Sequence, residues 1–250
     1  MTDEHFFPRW LIAHADVRRD GISWRGKKGV NPERATIPLC EDCNSALGQK
    51  LEAPVALIFR AIEAGENLSD DDCGLLVRWM WKFEGLAWGM SLGKLPNARY
   101  SDKFTMLQRL TDPRVFEEIR PRMALALATI EQNDEGFEDW PIGLDTPVSE
   151  TNAICVSGVF GRVALITLLV DFAQHVPPEF GVYRFDQCEV ARHLKAFLPP
   201  QGFPNPKAAI ESTTTASEEL VQLHEQLGRE ERAQQQVFLP PRQRLELPPV

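Results

Sequence analysis

The stretch LCEDCNSALGQKLE, residues 39–52, joins two periodicities and decides how the first quarter of the chain folds. Upstream of it, ATIPLC (35–40) is short and β-branched, which predicts a strand interrupted by Pro38. From Glu41, the run EDCNSALGQKLEAPVALIFRAIEAG (41–65) changes to helical spacing. Its apolar residues Leu47, Leu51, Val55, Ile58 and Ile62 recur every three or four positions. Pro54 predicts a kink there, or two helices meeting. Cys40, Cys43 and Asn44 therefore sit where a strand passes into the mouth of a helix.

A second polar group lies almost at the start, in TDEHFFPRWL (2–11). Residues 4–12 are aromatic and apolar enough for a strand carrying Glu4 and His5, with Trp10 and Leu11 as core anchors. Residues 13–33 hold three turn-favouring glycines and many charges, and read as a long loop or loose hairpin. Beyond the first helix, Ser69 followed by Asp70, Asp71 and Asp72 is a helix start, because acids suit the positive end of the helix dipole. That helix runs to about residue 92, and its stripe of Trp79, Trp81, Phe83, Leu86 and Trp88 is core. DPRVFEEIR (112–120) is a short helix with Pro113 in its first position, and MALALATIE (123–131) is ambiguous. Residues 152–172 predict two strands joined near Gly158–Arg162, and FGVYRFD (180–186) another. From Pro199 onward the composition predicts a linker, a polar amphipathic helix and a Pro-rich tail, loosely attached from about residue 201.

Composition is that of a globular chain, 43% hydrophobic and 25% charged, with no apolar run of membrane-spanning length. No secretory signal opens it, and five cysteines, only two of them close together, do not form a disulfide framework. A cytoplasmic location follows as the expectation. The net charge of −9 argues against a generic nucleic-acid binder, but the charge is uneven. From Arg9 to Arg34 there are seven Lys/Arg against three Asp/Glu. Arg18, Arg19, Arg25, Lys27 and Lys28 are the candidate anion contacts, and a merely solvated loop is the alternative.

The chemistry-bearing residues form a coherent set. A histidine that is neutral near pH 7 can take a proton from water. Carboxylate and amide oxygens can hold a hard divalent cation that polarises a phosphate and stabilises a leaving oxygen. Cys40 and Cys43 form a C-x-x-C knuckle, a candidate zinc half-site. Each residue also has a plainer reading: His5 as a surface histidine, Asn44 as a helix cap, Cys40 and Cys43 as small hydrophobes. Glu52 lies about 80° round a regular helix from Asn44 and reads as structural.

Taken together, EHFFPRWL and LCEDCNSALGQKLE resemble the HNH endonuclease family of ββα-metal nucleases. The likeness is to the prokaryotic branch with E-H-x-x-P-x-W-L before C-x-x-C-N-x-x-L-G-x-x-L-E, and covers about residues 3–52. It implies His5 as general base, Glu4 and Asn44 as ligands of Mg²⁺ or Mn²⁺, and a context of prokaryotic defence or mobile elements. Asn44 stands where many relatives have a final histidine. Many also have a central Asn where this chain has Ala35, with Asn31 the nearest alternative. Members with a structural zinc carry another C-x-x-C upstream of the acid–His pair, whereas here Met1 lies two residues before Asp3. Three expectations follow: no zinc, a Zn²⁺ with distant ligands such as Cys73 and His14, or a true start further upstream.

The expected architecture is α+β: an N-terminal HNH-like ββα-metal module (1–65), a mixed helical and strand companion domain (66–200), and a linker, helix and tail (201–250). The expected activity is metal-dependent hydrolysis of DNA, with RNA second. Nucleic acid is the expected partner, and a protein partner or a second copy of the chain is a further candidate. The alternatives are a non-catalytic interaction module with a degenerate HNH fold, and a zinc-binding adaptor.

Overall fold

The computed structural model describes residues 2–14, 22–24, 27–91, 106–131, 142–145, 155–187 and 196–238, and the fold is mixed α/β. β1 (Thr2–His5) pairs antiparallel with β4 (Thr36–Leu39), Glu4 opposite Ile37 and His5 opposite Thr36. The strand predicted over 4–12 ends early. Pro8 has no N–H to give a ladder, and its carbonyl instead accepts from Leu11 and Ile12, opening α1 (Arg9–His14). Leu11 is fully buried and Trp10 packs on the core, as expected, but from this helix rather than from the strand. Between the paired strands lies a small antiparallel hairpin, β2 (Ile22–Trp24) and β3 (Lys27–Val30).

The helical run after β4 is continuous. α2 (Glu41–Leu47) passes through a π turn at Gly48–Glu52 into α3 (Ala53–Glu63). The irregularity expected at Pro54 takes this form: the preceding Ala53 N–H reaches back five residues to Gly48 O. Proline cannot supply the next N–H and clashes with a regular turn before it, so the wider turn absorbs the conflict. Leu47, Leu51, Val55, Ile58 and Ile62 are all buried, as their spacing required. Gly65, with φ 72°, ends the helix in a conformation that glycine adopts without penalty.

α4 (Asp70–Ser91) starts where the acidic triplet predicted. Ser69 Oγ accepts the Asp72 N–H at 3.1 Å, and the Asp72 carboxylate takes the Ser69 N–H at 2.8 Å, a reciprocal cap. Two short helices follow, α5 (Met106–Thr111) and α6 (Pro113–Ile119), the latter capped by Asp112. The chain then builds one sheet from β5 (Met123–Ile130), β6 (Ile142–Asp145), β7 (Val156–Phe160), β8 (Val163–Leu169), β9 (Gly181–Arg184) and β10 (Gln201–Phe203). Its order is β10–β5–β8–β7–β6, with β9 also on the outer side of β5, and only β10 runs parallel to β5. The ambiguity of MALALATI has a physical source. Met123, Leu125 and Leu127 enter one core, while Ala124, Ala126 and Ala128 enter another, so both faces of the strand are apolar and no polar alternation marks it.

These two cores define the layers. On one face of the sheet lie the N-terminal hairpin, α1, the helical run 41–63 and α4. On the other lies α7 (Pro206–Phe238), seated through Ala209, Ala216 and Leu220. The loose attachment expected from residue 201 is thus corrected for its first part. Phe203 is buried, β10 hydrogen-bonds to β5, and the first half of α7 covers the sheet. That helix lies chiefly over β7 and β8. Phe6, Leu47, Phe59 and Trp79 share a core with Leu125, Phe160 and Leu165, so the N-terminal segment and the sheet are packed as one body. No helix among the described residues is long and apolar enough to cross a membrane.

Candidate functional site

Two segments separated by about forty residues meet at the N-terminal hairpin. Asn44, one turn into α2, donates its side-chain Nδ2 to Thr2 Oγ1 at 3.1 Å and to the Asp3 carbonyl at 3.4 Å. Alternation along β1 puts Thr2 and Glu4 on the face toward this helical run, and Asp3 and His5 on the other. Asn44 and Glu4 therefore share a face of the strand, while His5, its neighbour in sequence, emerges on the opposite one. The helix start is capped by Cys40, whose Sγ accepts the Cys43 N–H at 3.0 Å, so Asn44 is not the cap.

Glu4 does not lie open to solvent. It is 6% exposed, and its Oε1 accepts from the Lys82 ammonium. The same Nζ donates to Glu52 Oε1. Lys82 itself is fully buried. Three elements, β1, the π turn and α4, thus converge on one ammonium group. Burial pushes the Glu52 carboxyl above its ordinary range, with Lys82 pulling the other way and Glu4 adding to the rise. Glu52, read from a regular helical pitch as pointing away from Asn44, faces β1 like Asn44 does. The π turn is the reason, because each residue in an i→i+5 turn advances less than in an α-helix.

His5 is half-buried at the end of β1. Its Nε2 accepts from Arg9 Nε at 3.4 Å, and the next residue is anchored by Phe6 N–H to Ala35 O at 2.7 Å. Burial first, then the Arg9 charge, lower the imidazole pKa from 6.5, with Glu4 opposing. The ring is accordingly neutral near pH 7, the form that can accept a proton. Asn31, the alternative to the expected central Asn, uses Oδ1 to accept the Glu33 N–H and cap the turn Pro32–Arg34. Ala35 is wholly buried and contributes its backbone carbonyl rather than a side chain.

At the cysteine knuckle, Cys40 and Cys43 lie sulfur to sulfur as a disulfide. The distant ligands considered for a zinc are elsewhere. Cys73 is buried in the α4 core, and His14 Nε2 meets Glu63 Oε1 at 3.0 Å. Among the described residues no three His, Cys, Asp or Glu side chains cluster as a metal-binding group. For a hard cation the donor types fit: Glu4, Glu52 and Asn44 offer carboxylate and amide oxygens on one side of β1. Both carboxylates, however, already share the Lys82 ammonium.

Of the expected phosphate contacts, Lys27 and Lys28 lie on β3, their side chains outside the described residues, and Arg18, Arg19 and Arg25 lie outside them altogether. Two site residues were missed. Lys82 was hidden in an aromatic stripe, although a lone lysine amid WMWKF is itself a signal, since lysine is buried only when paired. Arg9 was counted only as part of the basic loop. No family model matches the chain, and no curated protein or solved structure matches it either.

Proposed function

We propose that the N-terminal β-β-α unit, Thr2–Glu63, is an HNH-type ββα-metal module and that the protein is a metal-dependent endonuclease acting on DNA. The observation that carries this reading is the contact of Asn44 with Thr2 and Asp3. Two motif halves that the resemblance pairs by sequence alone are brought against each other across a strand–helix boundary. In this reading His5 takes the proton from the attacking water, a role open to a neutral, partly exposed imidazole. Arg9, already beside the ring, holds a phosphate oxygen and turns the phosphodiester toward it. Glu4 and Asn44, with Glu52 as a further oxygen donor, would hold Mg²⁺ or Mn²⁺. Such an ion supplies charge stabilisation at the phosphate and the leaving 3′ oxygen. Lys27 and Lys28, with Arg18, Arg19 and Arg25 from the same stretch, grip flanking phosphates without reading sequence.

Two observations favour the second reading, a non-catalytic interaction module: Glu4 is turned inward onto a buried lysine, and His5 emerges on the face of β1 opposite Glu4 and Asn44. Plasmid nicking in Mg²⁺ or Mn²⁺ separates the two. Cleavage should stop in excess chelator. His5→Ala should lower the rate by ~10²–10⁴-fold, as loss of a positioned base does, while the circular dichroism spectrum is unchanged. Equal cleavage by a folded His5→Ala protein would remove His5 from the mechanism, and no cleavage by the parent under any divalent cation would leave the interaction module.

A further inference from the structure

We infer that Lys82 is the resident cation of the Glu4–Glu52 carboxylate pair, and that a divalent cation occupies the site only by displacing its ammonium group. This rests on the assignment of Glu4 as a metal ligand, and adds to it a built-in competitor. The geometry is specific. A single Nζ donates to Oε1 of both carboxylates, so the atoms a metal would use are already engaged. The three groups come from three elements, β1, the π turn and α4, and the ammonium is wholly buried. A lysine in that position cannot be a snorkelling surface residue, whose head would reach water.

Charge makes the competition directional. Two ionised carboxylates with one ammonium would leave one uncompensated negative charge in a buried site, a cost that shows in the raised Glu52 carboxyl. A divalent cation with both carboxylates would be neutral. The same cation with the ammonium still in place would carry a net positive charge, and two cations would stand at contact distance in low dielectric. The neutral arrangement is the one with the ammonium withdrawn to water, past Glu52, whose side chain is 14% exposed. The four-carbon stem of Lys82 makes that withdrawal feasible, because the head can re-aim without moving the helix. The competing explanation is that Lys82 only ties α4 to the hairpin, as a buried ion pair does. The two make opposite predictions when the lysine is replaced by an apolar residue of similar length.

The experiment is Mn²⁺ binding to the full chain without nucleic acid, read by isothermal titration and by the electron paramagnetic resonance of free Mn²⁺. Lys82→Met keeps the stem and removes the competitor. It should bind Mn²⁺ at least about tenfold more tightly than the parent, since a like charge at contact distance is gone. Adding Glu52→Gln to that variant should take the gain away. Unchanged or weaker Mn²⁺ binding by folded Lys82→Met protein would overturn the proposal. Should that variant fail to fold, the parent answers alone. Acylation of Lys82 by an amine-reactive ester, followed by peptide mass spectrometry, should rise several-fold in 10 mM Mn²⁺ relative to metal-free buffer on this reading. Equal protection of Lys82 with and without Mn²⁺ would overturn it. The outcome is separable from the nuclease reading. Tighter Mn²⁺ binding in a protein that cuts nothing keeps the competition and loses the enzyme; cation-dependent cutting with no gain in Lys82→Met does the reverse.

Discussion

Phe160→Ala tests whether the candidate site is built on the sheet or merely beside it. Phe160, at the end of β7, is fully buried and belongs to the sheet by its pairing with Val163 and Ile142. Its ring stacks on Phe83 at 5.5 Å between centroids, meets Trp79 edge-on at 4.9 Å, and touches Phe59 at 6.3 Å. Those partners lie on α3 and α4, the helices that carry Glu52's neighbours and Lys82. Truncating a buried phenylalanine costs about 3–5 kcal/mol, and three aromatic contacts put this site near the upper end. With a urea m-value of about 3 kcal/mol/M, the unfolding midpoint should fall by roughly 1.5 M. Far-ultraviolet circular dichroism reports helices and sheet throughout the chain. Tryptophan emission weights the cluster, because Trp10, Trp79 and Trp81 all lie in the shared core. If hairpin, helices and sheet are one cooperative unit, both signals shift together. A midpoint change worth under about 1 kcal/mol, or two transitions in which only one moves, would refute the single core, because a well-packed aromatic at a true junction cannot be deleted so cheaply.

Two further outcomes follow from the charges. Replacing Arg25, Lys27 and Lys28 together with alanine should weaken binding to all duplex sequences alike and flatten the slope of log K against log salt by up to about three units, as measured by fluorescence anisotropy from low to moderate salt; an unchanged slope would assign those residues to bare solvent. Burial pushes the Glu84 carboxyl up to about 7 against an ordinary 4.5, with Arg109 opposing, so the folded state holds that proton more tightly than the unfolded one. The stability this contributes is complete below about pH 4.5 and is lost as the pH rises through 7. Glu84→Gln should therefore change little at pH 4.5 and stabilise at pH 8, by at most ~3 kcal/mol and by less to the extent that Arg109 loses its partner. Thermal melts at the two pH values decide it, and a larger gain in acid than in base would contradict the burial of this carboxyl.

What the sequence made legible was whatever depended on near neighbours. Ser69 and the aspartates announced α4, and the three-four spacing from Leu47 to Ile62 announced the helical run, because caps and amphipathic faces are written within a turn or two. The meeting of Asn44 with β1 was foreseen only through the resemblance of two motif blocks, not through any spacing. Other features were out of reach for reasons that can be named. β5 carries leucines for one core and alanines for another, so a strand covered on both faces shows none of the alternation that identifies a strand. The attachment of residues 201–226 was obscured because α7 seats itself through Ala209, Ala216 and Leu220, few of them large, within an otherwise polar run.

The deepest miss is also the most instructive about the site. Sequence reasoning placed Glu52 about 80° round a regular helix from Asn44 and passed over Lys82, which lies among the residues of the aromatic stripe. A regular helix justifies the first judgement. Pro54 undoes it, because accommodating the missing N–H widens the turn just before it and swings Glu52 toward β1. Once Glu52 and Glu4 face one another, a buried positive charge between them becomes nearly obligatory, and α4 supplies it from the middle of its apolar stripe. Proline, π turn, carboxylate pair and lysine are therefore one linked device rather than four features. Pro54 follows Glu52 by two residues, and the turn that accommodates it sets the orientation of that carboxylate. Neither motif half carries Lys82; the packing of α4 against the hairpin is what sets its ammonium between the two carboxylates.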